Sequence, residues 1–235
     1  MGIKDDLSAK ITELATGQWS DIPNAYVLPT IEDLTFGNSG EHLNVTVLYA
    51  DLTASTKMVD ELPDTQAAEY YKAFLHSASQ LIKRNNGEIQ AYDGDRVMAL
   101  YVGESQADDA VATALELHYA VSKILNPSFE LVYKTSHRDL KFTVGIDTGR
   151  ILAIKVGVRA VGDLAWIGGA ANYAAKLNSF EGLDHKYPIR MTQQTMAKLT
   201  VASTRGNDGS NIWEGPYNNL KARTHYRTNY YRILT

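Results

Sequence analysis

Hydrophobic side chains recur at helical spacing in three segments of the chain. A long helix is predicted after Asp64 and ends at Gly87, because the apolar positions form one continuous face and Gly is a common helix terminator. A second helix is predicted over Ala107–Leu125 and closed by Pro127. A short amphipathic helix is predicted from Asp5 to Leu14. The sequence therefore predicts two substantial helices and one short N-terminal helix.

Runs of β-branched and aromatic residues predict strands between these helices. Asn44–Ala50 is hydrophobic on both faces and ends on Asp51, which is typical of a buried strand. Glu88–Tyr101 predicts a hairpin turning at Gly94 and Asp95. Phe142–Asp147 and Ile151–Val156 predict a second hairpin. Because strands and helices do not alternate strictly, the order favours an α+β fold with helices packed on a mainly antiparallel sheet.

Composition limits the classes of function. A chain of 235 residues with 44% hydrophobic residues and a net charge of -4 suits one folded domain and lacks the basic excess expected for binding to nucleic acid or anionic lipid. There are no cysteines, and no apolar run is long enough to span a membrane. We expect a cytoplasmic protein with no nucleic-acid or membrane partner, comprising an N-terminal appendage at 1–40 and a main domain at 41–235.

Two carboxylates stand where strands give way to turns. Asp51 is followed by Leu52 and then by the small or polar residues Thr53 to Thr56, and Asp95 follows a glycine. Carboxylate oxygens suit Mg²⁺ or Mn²⁺, and backbone N–H groups in a small-residue turn can bind phosphate. The pattern is consistent with a metal–nucleotide site. The alternative interpretation is that each Asp, considered alone, is an ordinary solvent-exposed residue of a turn.

Four motifs in register resemble the class III adenylate and guanylate cyclases. Asp51–Thr56 is similar to their first metal motif, and Gly94–Asp95 is similar to their second. Val144–Arg150 (VGIDTGR) resembles their GIHTG motif, and Ile167–Leu177 (IGGAANYAAKL) resembles IGDTVNLAARL. Residues 220–223 (LKAR) match a basic turn more weakly. The resemblance implies the cyclase fold, with a ferredoxin-like sheet and flanking helices.

The resemblance also implies a two-metal reaction. Two divalent ions, Mn²⁺ or Mg²⁺, would be held by Asp51, Asp95 and the backbone carbonyl of Leu52. In the family these ions favour in-line attack of the 3′-hydroxyl of the nucleotide on its α-phosphate. The adjoining turn would contribute to substrate binding through Thr53, Ala54, Ser55 and Thr56.

Three further residues match positions that contact substrate in the family. Asn172 corresponds to the residue that orients the ribose, and Lys176 takes the place of an arginine that stabilises the transition state. The lysine keeps the charge but lacks the planar fork of a guanidinium; its alternative interpretation is an ordinary surface lysine. Arg223, or Lys221 beside it, matches the residue for the β- and γ-phosphates. In the family, the metal-binding aspartates lie on one subunit and the Asn and Arg residues of the last motif lie on the other. The resemblance therefore implies a homodimer with composite sites.

The base-reading positions of purine cyclases map to Ala91 and Ala165. Two alanines offer no hydrogen bonds to a purine edge, which weakens the purine assignment. The altered pocket resembles the pyrimidine cyclases of bacterial Pycsar antiphage defence, whose product is read by a separate effector protein. UTP is favoured on resemblance alone. Tyr49 and Tyr92 could narrow the pocket or stack on a base, although strand aromatics are more often core residues.

Other functions stay open at this point. The enzyme could be a cytidylate or adenylate cyclase that reads its base through other residues. The chain could also be an inactive cyclase fold that binds a nucleotide or partner. A polymerase-like domain that joins two nucleotides would share the metal chemistry.

Overall fold

A computed structural model describes residues 2–179, 184, 186–220 and 222–235. In chain order the helices are α1 Ile3–Thr16, α2 Ser55–Glu61, α3 Asp64–Arg84, α4 Gln106–Tyr119, α5 Asn126–Tyr133, α6 Gly169–Asn178, α7 Gln193–Met196 and α8 Val201–Thr204. The strands are β1 Glu41–Leu52, β2 Glu88–Asp93, β3 Arg96–Tyr101, β4 Phe142–Val158, β5 Val161–Gly168, β6 Ile189–Thr192, β7 Glu214–Leu220 and β8 Arg223–Thr228.

The chain divides into two compact units, Val45–Gly149 with Ala170–Thr235 (the larger unit) and Met1–Asn44 with Arg150–Gly169 (the smaller unit). In the larger unit the strand order is β2-β3-β1-β4-β6-β8-β7. The described pairings there are antiparallel except β4 with β6, which is parallel. The predicted α+β fold with a mainly antiparallel sheet is confirmed. The domain boundary at residue 40 stays a prediction.

The core of the larger unit forms where α3 and α4 bury their apolar faces. Tyr70 and Phe74 of α3 are completely buried, as are Val111 and Leu115 of α4. Apolar area removed from water in this way contributes about 25 cal/mol per Å². The helix after Asp64 is therefore confirmed, with its last helical residue at Arg84.

The predicted hairpin around Thr148, Gly149 and Arg150 is wrong. These residues lie inside the continuous strand β4, and the turn comes later, at Arg159 and Ala160, where the chain enters β5. Gly149 is not among the residues with positive φ, so this segment stays extended, whereas Ala160 has φ 72°. A glycine permits a turn but does not require one.

The predicted helix end at Pro127 is also wrong. α4 passes through a π-helical segment, Ala120–Leu125, into α5, and Pro127 lies in the first turn of α5. Proline has no N–H to donate and lies here just after a change of helix type, where the N–H of Asn126 donates five residues back to the carbonyl of Val121.

In the smaller unit, α1 buries none of its residues, and its apolar side chains Ile3, Leu7, Ile11 and Leu14 are all exposed. The second half of β4 pairs with β5 from Ile151↔Gly168 to Val158↔Val161. Within the part of the chain that the structure describes, no helix has the length and hydropathy needed to cross a membrane.

Candidate active site

Asp51 and Asp95 are brought together by the pairing of β1 with β3. Asp51 is the second-last residue of β1, and Asp95 lies in the two-residue turn between β2 and β3. That turn is tight because Gly94 adopts φ 61°, a conformation that glycine accepts readily. The register Ala50↔Val97 places Asp51 opposite Arg96. The predicted carboxylate pair is therefore built by one hairpin and its neighbouring strand.

The two carboxylates interact through their charges. Burial raises the pKa of Asp51 to about 6, and the nearby charge of Asp95 adds to this increase. Arg96 opposes the increase in pKa, because its Nε donates to Asp51 Oδ2 at 3.3 Å. Two acidic groups thus share a partly buried site with one guanidinium beside it.

These groups fit a divalent cation. Oδ2 of Asp95 is buried without a hydrogen-bond partner among the described residues, and Oγ1 of Thr53 is in the same condition. An unsatisfied buried oxygen is costly unless a ligand completes it. No cluster of three or more His, Asp or Glu occurs in the described ranges. Asp51 and Asp95 with the carbonyl of Leu52 would suit Mg²⁺ or Mn²⁺, since such ions commonly use one or two carboxylates together with substrate phosphates.

The turn after Asp51 is only partly available for substrate. The sequence predicted free N–H groups in this turn. The N–H of Thr53 is instead used within the fold, because it donates to the carbonyl of Lys141 at 2.7 Å. Ala54 has φ 59°, an uncommon conformation for a residue with a Cβ, and α2 starts at Ser55. Ser55 and Thr56 lie in the first helical turn, where N–H groups lack intrahelical partners.

A row of side chains crosses three strands next to the carboxylate pair. Tyr49 of β1 is in register with Met98 of β3, which is in register with Ala91 of β2. The hydroxyl of Tyr49 lies 3.1 Å from the sulfur of Met98. Because alternate residues of a strand share a face, Tyr49 lies on the face of Asp51 and Met98 on that of Arg96. Met98 therefore lies between Ala91 and Tyr49, because β3 separates their two strands in the sheet.

Helix α6 carries the second set of predicted residues. Asn172 and Lys176 are exposed, and Tyr173 is half-buried. The helix is tied to β4 by Asn178, whose Nδ2 donates to the carbonyl of Thr143 at 2.9 Å. At Gly145 the strand approaches so closely that a Cβ would lie 2.1 Å from the carbonyl oxygen of Ala174. These contacts fix the position of α6 on the sheet.

Arg223 begins β8 and forms an ion pair with Asp147 of β4. The carboxylate is fully buried and also accepts from the hydroxyl of Thr192 and from the N–H of Thr148. The guanidinium of Arg223 lies 4.3 Å from the ring centroid of Tyr173, and Nζ of Lys176 lies 4.7 Å from the same centroid. Lys221, the alternative phosphate ligand, lies outside the described residues.

The remaining predicted residue, Ala165, belongs to the smaller unit. It lies on β5 in register with Ile154 and is half-buried. In the larger unit no hydrogen bond or ion pair of the described residues joins Asp51 or Asp95 to Asn172 or Lys176. Helix α6 is nonetheless linked to β1, because Nδ2 of Asn178 donates to the carbonyl of Tyr49 at 3.5 Å, two residues before Asp51.

Residues 38–228 match the family model described as the adenylate and guanylate cyclase catalytic domain. The chain belongs to the class III nucleotide cyclases. It is 36% identical over 231 residues to a uridylate cyclase of Xanthomonas perforans, covering 98% of each chain. It is 39% identical to a uridylate cyclase of Burkholderia cepacia, covering 91% of each chain.

A solved cyclase structure confirms the fold. The adenylyl cyclase CyaB from P. aeruginosa superposes with a TM-score of 0.64 at 18% identity, covering 80% of this chain and 95% of that one. The predicted family and its nucleotide cyclase fold are thus confirmed.

Two residues that contact the predicted site residues were missed from the sequence. Arg96 directly follows Asp95, and its role depends on the β1–β3 register, which would have placed it opposite Asp51. Tyr173 lies between Asn172 and Lys176 in a motif that drew attention to its neighbours. Its i,i+3 spacing from Lys176 was the available signal.

Proposed function

We propose that this nucleotide cyclase is a uridylate cyclase that converts UTP to 3′,5′-cyclic UMP and diphosphate. The observation that carries the proposal is the row Tyr49–Met98–Ala91 beside the carboxylate pair. Ala91 offers no side-chain hydrogen bond to a purine edge, and Tyr49 reduces the space available for a two-ring base. The names and high coverage of the two uridylate cyclase relatives support the same substrate.

In the proposed reaction the ribose 3′-oxygen attacks the α-phosphorus. An O–P bond forms, the bond from the α-phosphorus to the bridging oxygen breaks, and diphosphate leaves with the electron pair while the hydroxyl proton passes to solvent. Bound divalent ions would lower the pKa of the hydroxyl and neutralise phosphate charge. Asp51, Asp95 and the carbonyl of Leu52 would hold those ions.

The residues of α6 and β8 act on the other side of the substrate. Asn172 orients the ribose, because its amide can both donate and accept hydrogen bonds. Lys176 places positive charge near the transition state, and Arg223 contacts the β- and γ-phosphates. We assign the two groups of one site to different subunits of a homodimer, because members of the resembled family supply them in this way.

The product of the enzyme is proposed to act as a second messenger in antiphage defence, read by a separate effector protein. This part rests on the resemblance to pyrimidine cyclases alone. Plaque counts in cells that express the cyclase and its effector would test it, with Asp51→Ala as the inactive control. Equal plaque counts with and without an active cyclase would remove the defence role.

The substrate is tested by incubating the purified protein with Mn²⁺ and each of ATP, GTP, CTP and UTP, with products identified by mass. Cyclic UMP as the main product is expected. A cyclic purine nucleotide as the main product would overturn the argument from Tyr49 and Ala91 but keep the cyclase chemistry. Cyclic CMP as the main product would change the assigned substrate from UTP to CTP. Asp51→Ala and Asp95→Ala should each lose turnover while keeping the unfolding temperature. Turnover in either variant would refute the metal assignment.

A further inference from the structure

Tyr173 contacts two cations that belong to different parts of the fold. Lys176 is one turn further along α6, and Arg223 comes from the start of β8. Both positive groups lie against the same ring, at 4.7 Å and 4.3 Å from its centroid. One ring is therefore in contact with both cations, and the ion pair with Asp147 balances the charge of Arg223.

The contacts on either side of the ring make this arrangement rigid. Arg223 is fixed by its ion pair with the buried Asp147. Tyr173 is fixed by α6, which is joined to β4 through Asn178 and packs on Gly145. Lys176 is exposed and has a flexible stem, so the ring is the contact that limits where its ammonium can go. A cation over a ring face is attracted by the ring quadrupole.

We propose that Tyr173 is a positioning residue that holds Lys176 and Arg223 as a two-cation receptor for the phosphate chain of the substrate. A polyphosphate carries negative charges on the oxygens of neighbouring phosphate groups, and two cations held against one ring can contact two of these groups. A preorganised pair loses less conformational entropy on binding than two free side chains. The second cation also compensates for the bidentate grip that a lysine lacks. The proposal deepens the proposed function and rests on it for the identity of the substrate.

The test measures the phosphate receptor without turnover. Binding of inorganic triphosphate to the full-length protein is followed by calorimetry in EDTA, so that the carboxylate pair and its metals make no contribution. Tyr173→Leu removes the ring, and Tyr173→Phe keeps it. From two cation–π contacts, Tyr173→Leu should weaken triphosphate binding about 5- to 30-fold, while Tyr173→Phe should stay within about 2-fold of the unaltered protein. Unchanged binding in Tyr173→Leu would overturn the proposal.

A double variant separates positioning from packing. In a Lys176→Met background, Tyr173→Leu should have a smaller effect on triphosphate binding than it has alone, because one of the two cations is gone. An equal effect in both backgrounds, or an equal loss in Tyr173→Leu and Tyr173→Phe, would mean that Tyr173 only supports the fold. If Tyr173→Leu does not fold, Tyr173→Met takes its place in both backgrounds, because it also removes the ring while keeping a long apolar side chain.

The outcome is independent of the substrate assignment. If the unaltered protein forms no cyclic nucleotide from any nucleoside triphosphate, the proposed function fails, but the triphosphate affinities still decide the role of Tyr173. If cyclic UMP forms and the Tyr173 variants bind triphosphate equally well, only the positioning role fails. A rise in KM for the nucleotide larger than the fall in kcat in Tyr173→Leu would agree with a ground-state phosphate contact.

Discussion

The buried ion pair between Asp147 and Arg223 allows a quantitative prediction about stability. Arg223→Met would keep a long apolar side chain but remove the charge that faces a carboxylate with 0% exposure. Breaking a buried pair by removing one partner typically costs about 3–5 kcal/mol, because the other charge stays buried without compensation. For a chain of this size that corresponds to a fall in Tm of roughly 6–20 °C.

Two donors reduce this cost but do not replace the arginine. The hydroxyl of Thr192 and the N–H of Thr148 both contact Asp147 Oδ1, whereas Arg223 contacts Oδ2. Removing Arg223 therefore leaves Oδ2 without its donor. We expect the loss to fall at the lower end of the range, about 3 kcal/mol.

Guanidinium denaturation followed by circular dichroism provides the assay. Asp147→Asn with Arg223→Met should recover part of the loss, because the uncompensated charge is then absent. Arg138→Met is the matched control: Arg138 pairs with Glu61 at 3.4 Å at the surface, where both side chains are well exposed. Its loss should be below about 1 kcal/mol. If Arg223→Met loses no more than this control and shows no coupling to Asp147→Asn, the buried pair does not stabilise the fold.

Three further predictions concern the site, the packing of α6 and pH. Mixing an Asp51→Ala subunit with a Lys176→Ala subunit should restore some cyclase activity if sites are shared, whereas a mixture as inactive as its components would oppose shared sites. Gly145→Ala should abolish soluble expression or lower Tm strongly, because the added Cβ would lie 2.1 Å from a backbone oxygen. Gly149→Ala is the control and should be tolerated, because the nearest atom to its Cβ would be 3.8 Å away. Equal Tm values for the two variants would contradict the close packing at Gly145. Burial lowers the pKa of His118 below 6.5, so the unfolded chain binds a proton more readily than the folded chain, and stability falls as pH drops below about 6.5. In urea titrations at several pH values, His118→Gln should reduce this fall in stability. An unchanged pH dependence of stability in His118→Gln would refute the assignment.

Local patterns predicted the elements that depend on short-range interactions. The hairpin around Gly94 and the long helix after Asp64 were found because their turn residues and apolar spacing are specific. The break at Gly149 was predicted wrongly, since whether a glycine turns depends on how the chain pairs beyond it. Pro127 was also misread, because a first-turn proline and a terminating proline look alike in sequence.

The candidate site residues could be predicted where they match family motifs. The contacts of these residues could not be predicted, because they depend on the register between strands. Asp51 and Asp95 were recognised and are close in the structure, but the ion pair with Arg96 follows from strand pairing over 45 positions. The partner of Arg223 was equally hidden, since Asp147 is 76 positions away. Long-range contacts of this kind leave no local pattern.

The placement of Tyr173 between two cations has an evolutionary consequence. A change of Lys176 to Arg would bring a second guanidinium against a ring that already carries Arg223. The same substitution with Leu at 173 would meet no such ring. The effects of substitutions at positions 173, 176 and 223 should therefore be non-additive, so that a change at one position alters which changes are tolerated at the other two.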